Sequence, residues 1–106
     1  MVSHISIRLT LSNRHFGGES EEEQVVSKRK FFYIVGQQIP GVGEMDIEYV
    51  DYSMLVEVIL KPPFALGAAE MVALARSKRF KENVAQFFEI PSMLLTVVVS
   101  EPVHHT

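Results

Sequence analysis

Asn13, Arg14 and His15 are the residues best suited to chemistry, because they lie in a glycine-containing loop between a predicted strand and a predicted helix. Arg14 can hold an anion, and His15 can transfer a proton near neutral pH. Four glutamates between positions 19 and 23 oppose phosphate binding, and the loop matches neither the P-loop nor the dinucleotide-binding pattern. The favoured interpretation is a polar connection. A ligand-binding role for all three residues, with Arg14 and His15 catalytic, is the alternative.

Three histidines form a second candidate group. His4 precedes the predicted first strand, whereas His104 and His105 follow the predicted last strand. If these strands run antiparallel, the three side chains lie at the same end of the sheet, and imidazoles suit zinc, copper or nickel. Adjacent histidines cannot both reach one ion without a kink, and no carboxylate is placed to orient them. Solvated histidines are therefore favoured, and no metal is predicted.

A basic cluster surrounds Phe80 in the second half of the chain. Arg76 and Arg79, together with Lys78 and Lys81, fall within six positions. Such a cluster can bind an acidic partner or a phosphate group, and it can equally form the solvated face of a helix. The solvated face is favoured, with Arg76 and Arg79 as the alternative ligand-binding residues.

Composition excludes several classes of function. The 106 residues include no cysteine, which rules out a thiolate nucleophile, a disulfide scaffold and a Cys-ligated metal. The net charge of −3 argues against nucleic acid as a partner. No apolar run approaches the ~20 residues of a membrane span, so no membrane partner and a cytoplasmic location are expected. No cofactor is predicted.

Hydrophobic periodicity predicts alternating strands and helices along one domain, residues 1–106, with a mobile tail from about residue 102. A capping box of Ser20 and Glu23 predicts where the first helix begins. In that helix, Val25, Phe32, Val35 and Ile39 fall near one stripe. The second helical stretch has its own apolar series and a break near Ser77. That series is Leu66, Ala69, Ala73, Phe80, Val84 and Phe87. The predicted elements are strands at 3–11, 44–50, 53–60 and 93–100 and helices at 20–38 and about 66–90.

The element order β-α-β-β-α-β predicts an α+β, ferredoxin-like split βαβ sandwich. In that fold a four-stranded antiparallel sheet, in the order 4-1-3-2, carries two helices on one face. A relative in which the last strand pairs with a neighbouring subunit is the alternative. The fold hosts many unrelated functions and assigns none by itself.

The sheet face without helices provides the leading functional hypothesis. Strand alternation places Arg8 and Glu57 side by side on that face as a cross-strand ion pair. Four apolar residues surround the pair, and a contiguous apolar patch is typical of a partner surface. A sheet-to-sheet homodimer is therefore predicted, with an interface of Arg8, Leu55, Glu57, Ile59, Leu94 and Val98. An RNA-binding sheet would need exposed aromatics here, and the sequence places none.

Three functions stay open on these grounds. The favoured one is an oligomeric interaction or regulatory protein, with a small molecule or another protein as a further partner. The second is a cofactor-free enzyme whose pocket, between sheet and helices, uses Arg14 and His15. The third is a metal-binding protein that uses His4 with His104 or His105. Whether the chain is an enzyme is not decided by its sequence.

Overall fold

The fold is built on one sheet, whose strands alternate more buried with more exposed side chains. The computed structural model describes residues 4–12, 20–50 and 53–100. Four strands form one antiparallel sheet in the order β2-β3-β1-β4. The predicted order 4-1-3-2 is thereby confirmed, and the fold is the predicted ferredoxin-like α+β sandwich. The elements are β1 (Ile5–Ser12), α1 (Glu21–Gln38), β2 (Glu44–Val50), β3 (Ser53–Leu60), α2 (Ala68–Arg76), α3 (Lys78–Phe87), a 3₁₀ turn (Ser92–Leu94) and β4 (Leu95–Ser100).

The two central strands, β1 and β3, bury one face completely. Every second side chain of β3 from Met54 to Leu60 is buried, and Ile5, Ile7 and Leu9 of β1 join them. Strand β1 pairs with β3 from Ile5↔Leu60 onwards and with β4 on its other side. The helices cover this face, so the opposite face of the sheet carries the alternate, more polar residues.

Helix α1 begins at the predicted capping box. The Ser20 hydroxyl accepts a hydrogen bond from the backbone N–H of Glu23 at 3.2 Å, and the Glu23 side chain accepts from the Ser20 N–H at 3.4 Å. Three glutamates in the first turn complement the helix dipole. The helix ends before Gly41, whose φ of +82° turns the chain towards β2.

The predicted apolar stripe of α1 is wrong in part. Val35 and Ile39 are buried, whereas Val25 and Phe32 are exposed, and the buried stripe runs through Phe31 instead. Phe31 packs against Phe88, with ring centroids 4.2 Å apart. Helix α1 has apolar residues on several sides, so periodicity alone could not choose which side faces the core.

The second helical stretch divides at Ser77, as predicted, into α2 and α3, which gives three α-helices in the described residues rather than two. The stripe predicted across this stretch is wrong at four of its six positions: Leu66, Ala69, Ala73 and Phe87 are exposed. The side chains that α2 buries are those of Met71, Val72 and Ala75. The break resets the helical phase, so one stripe cannot run through both helices.

Strand β4 begins at Leu95, two residues later than predicted. Pro91 is followed by a 3₁₀ turn over Ser92–Leu94, which keeps those residues out of the sheet. The predicted interface residue Leu94 therefore lies just before β4. It is half-buried and takes no part in the alternation of that strand. Among the described helices, none combines the length and the apolar character that a membrane crossing requires.

Candidate functional site

The side of the sheet that no described helix covers is the candidate site, and strand register arranges its side chains in rows. We call it the bare face. Its three rows, each read from β2 through β3 and β1 to β4, are Glu44–Ile59–Ser6–Ser100, Asp46–Glu57–Arg8–Val98 and Glu48–Leu55–Thr10–Thr96. The acidic residues are concentrated on β2, at one edge. Arg8 is the one basic residue in these rows.

The centre of the bare face is an ion pair. Arg8 Nε lies 3.2 Å from Glu57 Oε2, and the Ser6 hydroxyl donates to the same carboxylate oxygen at 3.2 Å. The predicted cross-strand pair is thus confirmed. The side chains of Arg8 and Glu57 are 67% and 36% exposed, and a pair of this exposure contributes only about 0–1 kcal/mol to folding. The pair therefore adds little to the stability of the folded chain.

A shallow depression lies over this pair. Its volume is about 450 Å³, and Arg8, Thr10, Asp46, Leu55 and Glu57 contribute to its lining. Leu55 supplies an apolar surface, while the carboxylates around it outnumber the single guanidinium. The depression therefore offers both apolar contact and hydrogen-bonding groups to whatever covers the sheet.

The apolar residues of the bare face are not contiguous, contrary to the prediction. Ile59 and Leu55 lie on β3 and are half-buried, whereas Val98 lies on β4 and is 54% exposed. Between them runs β1, which presents only polar side chains to this face. Alternation along the sequence predicts the face of the sheet on which each residue lies. The interruption of the apolar residues depends on which strands are neighbours in the sheet.

The loop and tail candidates lie outside the described residues. These are Asn13, Arg14 and His15 in the first loop and His104 and His105 near the carboxyl terminus, so their predicted roles stay predictions. His4 is described and lies exposed just before β1. Within residues 4–12, 20–50 and 53–100, no three histidine or carboxylate side chains are grouped to hold a metal ion.

Arg76 and Arg79 lie on different helices, on either side of the break at Ser77. The Arg76 guanidinium donates to the backbone carbonyl of Val99 at 3.3 Å, which ties the end of α2 to β4. Arg79 lines a depression of about 270 Å³ between α1 and α3, beside Asn83. The structure thus gives Arg76 a hydrogen bond to β4 and leaves Arg79 exposed at the surface.

Exposed aromatic side chains lie on the outside of the helices, where the sequence pattern leaves one ring over from each of the clusters 31–33 and 87–88. Phe32 and Tyr33 of α1 are about half exposed, and the Tyr33 ring lies 5.9 Å from that of Phe87 in α3. Five consecutive apolar residues at 31–35 exceed what one buried stripe can hold. That excess indicates, from the sequence, that part of the cluster lies outside the core.

Comparison with known proteins assigns this chain to no family. No family model and no curated protein matches the chain. This chain is similar to a solved structure from Bacillus halodurans, which is described as an ethyl tert-butyl ether d (ethd) family protein. The two share 14% sequence identity, and the match covers 95% of this chain and 98% of that chain with a TM-score of 0.49. At this identity no activity is carried over. The architecture rests on the strand order and register given above.

Proposed function

We propose that this protein is an interaction or regulatory module that pairs with a second copy of itself through the bare face. The observation that carries the proposal is the composition of that face. None of the described helices lies over it, it presents Val98 and the half-buried Leu55 and Ile59, and its centre is one exposed pair of opposite charges. A surface that carries both charges at its centre is suited to meeting its own copy in an isologous contact.

Small-ligand binding forms the second part of the proposal. The depression of about 450 Å³ has the size of a small-molecule pocket, for which about 300–1,000 Å³ is usual. In the described part of a single chain it is open to solvent. A second sheet packed at about 10 Å would close it, so the ligand site is expected at the subunit boundary, beside the side chains through which the two sheets touch.

The experiment is light scattering on the wild-type chain and on Val98→Glu. We expect the wild type to have the mass of a dimer at two concentrations tenfold apart. Val98→Glu should have the mass of a monomer, because it places an extra charge in the contact. Val26→Glu is the matched control, since Val26 has almost the same exposure, 50% against 54%, but lies on α1.

Two results would contradict the proposed pairing. A wild-type chain that is monomeric at both concentrations leaves the bare face unpaired. A dimer that Val26→Glu dissociates and Val98→Glu does not would place the contact on the helices. Circular dichroism on both variants checks that a loss of mass does not come from unfolding.

A further inference from the structure

The ion pair at the centre of the bare face leaves complementary atoms unused. Arg8 contacts Glu57 through Nε, and both contacts to the Glu57 carboxylate, from Arg8 and from Ser6, go to Oε2. Within residues 4–12, 20–50 and 53–100, the two terminal nitrogens of Arg8 and Oε1 of Glu57 have no partner. A guanidinium has five N–H donors, and a carboxylate accepts at both oxygens. Among the described residues, each chain thus presents an unused donor beside an unused acceptor.

Two-fold symmetry restricts how two such faces can meet. When two sheets face each other, the two-fold axis lies in the plane between them. If the axis is parallel to the strands and midway between β1 and β3, then β1 of each copy lies over β3 of the other copy. Arg8 and Glu57 are register partners on β1 and β3, so each faces its opposite charge across the interface. Two symmetric contacts arise from one operation.

The acidic edge strand agrees with this axis. With the axis between β1 and β3, strand β2 lies over β4 of the second copy, so Glu44, Asp46 and Glu48 face Ser100, Val98 and Thr96. If the axis is instead perpendicular to the strands, β2 lies over β2 of the second copy, and Arg8 lies over β1 of the second copy. Three carboxylates would then face three carboxylates, an arrangement that like-charge repulsion opposes. Other axes parallel to the strands leave at least one strand of each sheet uncovered.

We infer that two copies pair about a two-fold axis parallel to the strands, with Arg8 of each copy bound to Glu57 of the other. This inference rests on the proposed dimer and adds its geometry. The terminal nitrogens of Arg8 bind Oε1 of the opposite Glu57, while the pair within each chain is kept. The centre of the interface is then a ring of four alternating charges.

Charge reversal tests the ring. Arg8→Glu and Glu57→Arg each place like charges face to face twice, and each should weaken dimerisation about tenfold or more. The double variant Arg8→Glu/Glu57→Arg restores every pair and should dimerise as the wild type does. Circular dichroism should show that all three remain folded, with a small loss of thermal stability in the two single variants only, because these place like charges opposite each other on β1 and β3. Single variants that dimerise as well as the wild type would overturn the inference.

Cross-linking between introduced cysteines tests the position of the two-fold axis. The chain has no cysteine of its own, so only the introduced thiols react. Asp46 and Val98 lie on the two edge strands of one sheet, three strand spacings or ~14 Å apart. Asp46→Cys and Val98→Cys are made as separate proteins and treated with a short bis-maleimide that spans the ~10 Å between packed sheets. We expect a covalent dimer when the two are mixed and none when each is treated alone.

The outcomes separate the inference from the proposed function. A wild-type chain that is monomeric by light scattering removes both. A dimer in which Val98→Cys cross-links to itself places the axis across the strands and overturns only the inference. A dimer with any other cross-linking pattern, including none, also overturns the geometry and leaves the proposed self-association standing.

Discussion

At the scale of single residues, neighbours in sequence have opposite environments. Phe31 and Phe32 are the same residue type at adjacent positions of α1. Phe31 is fully buried against Phe88, whereas Phe32 is 49% exposed beside a small depression between α1 and β2. The structure therefore assigns to Phe31 the packing role that the sequence pattern assigned to Phe32.

Truncating the two rings one at a time should separate their roles. Phe31→Ala removes a fully buried ring and leaves a cavity, so it should lower the free energy of unfolding by about 3–5 kcal/mol. Phe32→Ala, the matched control, should cost less than about 1 kcal/mol. Urea denaturation measures both. Equal losses would mean that α1 is rotated relative to the arrangement described here.

At the scale of elements, one serine ends α2 and begins α3. The Ser77 hydroxyl accepts from the backbone N–H of Phe80 at 3.0 Å and donates to the carbonyl of Leu74 at 2.8 Å. It therefore satisfies one backbone group from each helix. The break at Ser77 consequently has a specific chemical basis, and the helices can bury different stripes on either side of it.

Removing that hydroxyl should destabilise both helix ends. Ser77→Ala is expected to lower the free energy of unfolding by about 1 kcal/mol, the usual cost of losing an N-cap. Ser77→Thr retains a hydroxyl and should stay within about 0.5 kcal/mol of the wild type. The midpoint of urea denaturation gives the comparison. An alanine variant as stable as the wild type would show that neither hydrogen bond contributes.

These elements also show how far the sequence could lead. Period-two alternation with one buried face was sufficient for β1 and β3, because a slip of one residue would exchange buried and exposed side chains. The strand order followed from the element order β-α-β-β-α-β. The phase of α1 could not be predicted, since two of its sides are apolar. For the candidate site, the Arg8–Glu57 pair followed from alternation. The position of the polar side chains of β1 between the apolar residues could be found only from the strand register. The position of Leu94 could be found only from the 3₁₀ turn before β4.

At the scale of the whole molecule, the sheet is unevenly protected. Strands β1 and β3 are paired on both sides, whereas β2 and β4 form the edges of the described sheet. No side chain of β2 is fully buried, in contrast to the four buried side chains of β3. Local stability should therefore fall from the centre of the sheet to β2.

Hydrogen exchange should follow the same order. We expect backbone amides of β1 and β3 to exchange slowest and those of β2 fastest among the strands, because one edge of β2 is unpaired in the described residues. Mass spectrometry of labelled peptides measures the difference. Pairing through the bare face leaves these edges open. A β2 as protected as β1 would instead indicate that another chain adds to the sheet at this edge.

The acidic strand β2 has a consequence for what the protein does at high concentration. Open sheet edges are where folded proteins join into fibres, and β2 is an edge of the sheet that the described residues form. If two β2 strands met side by side, the carboxylates of Glu44, Asp46 and Glu48 would be brought beside those of the second strand. Repulsion between them opposes growth of the sheet from chain to chain. The same three residues thereby protect the protein against aggregation.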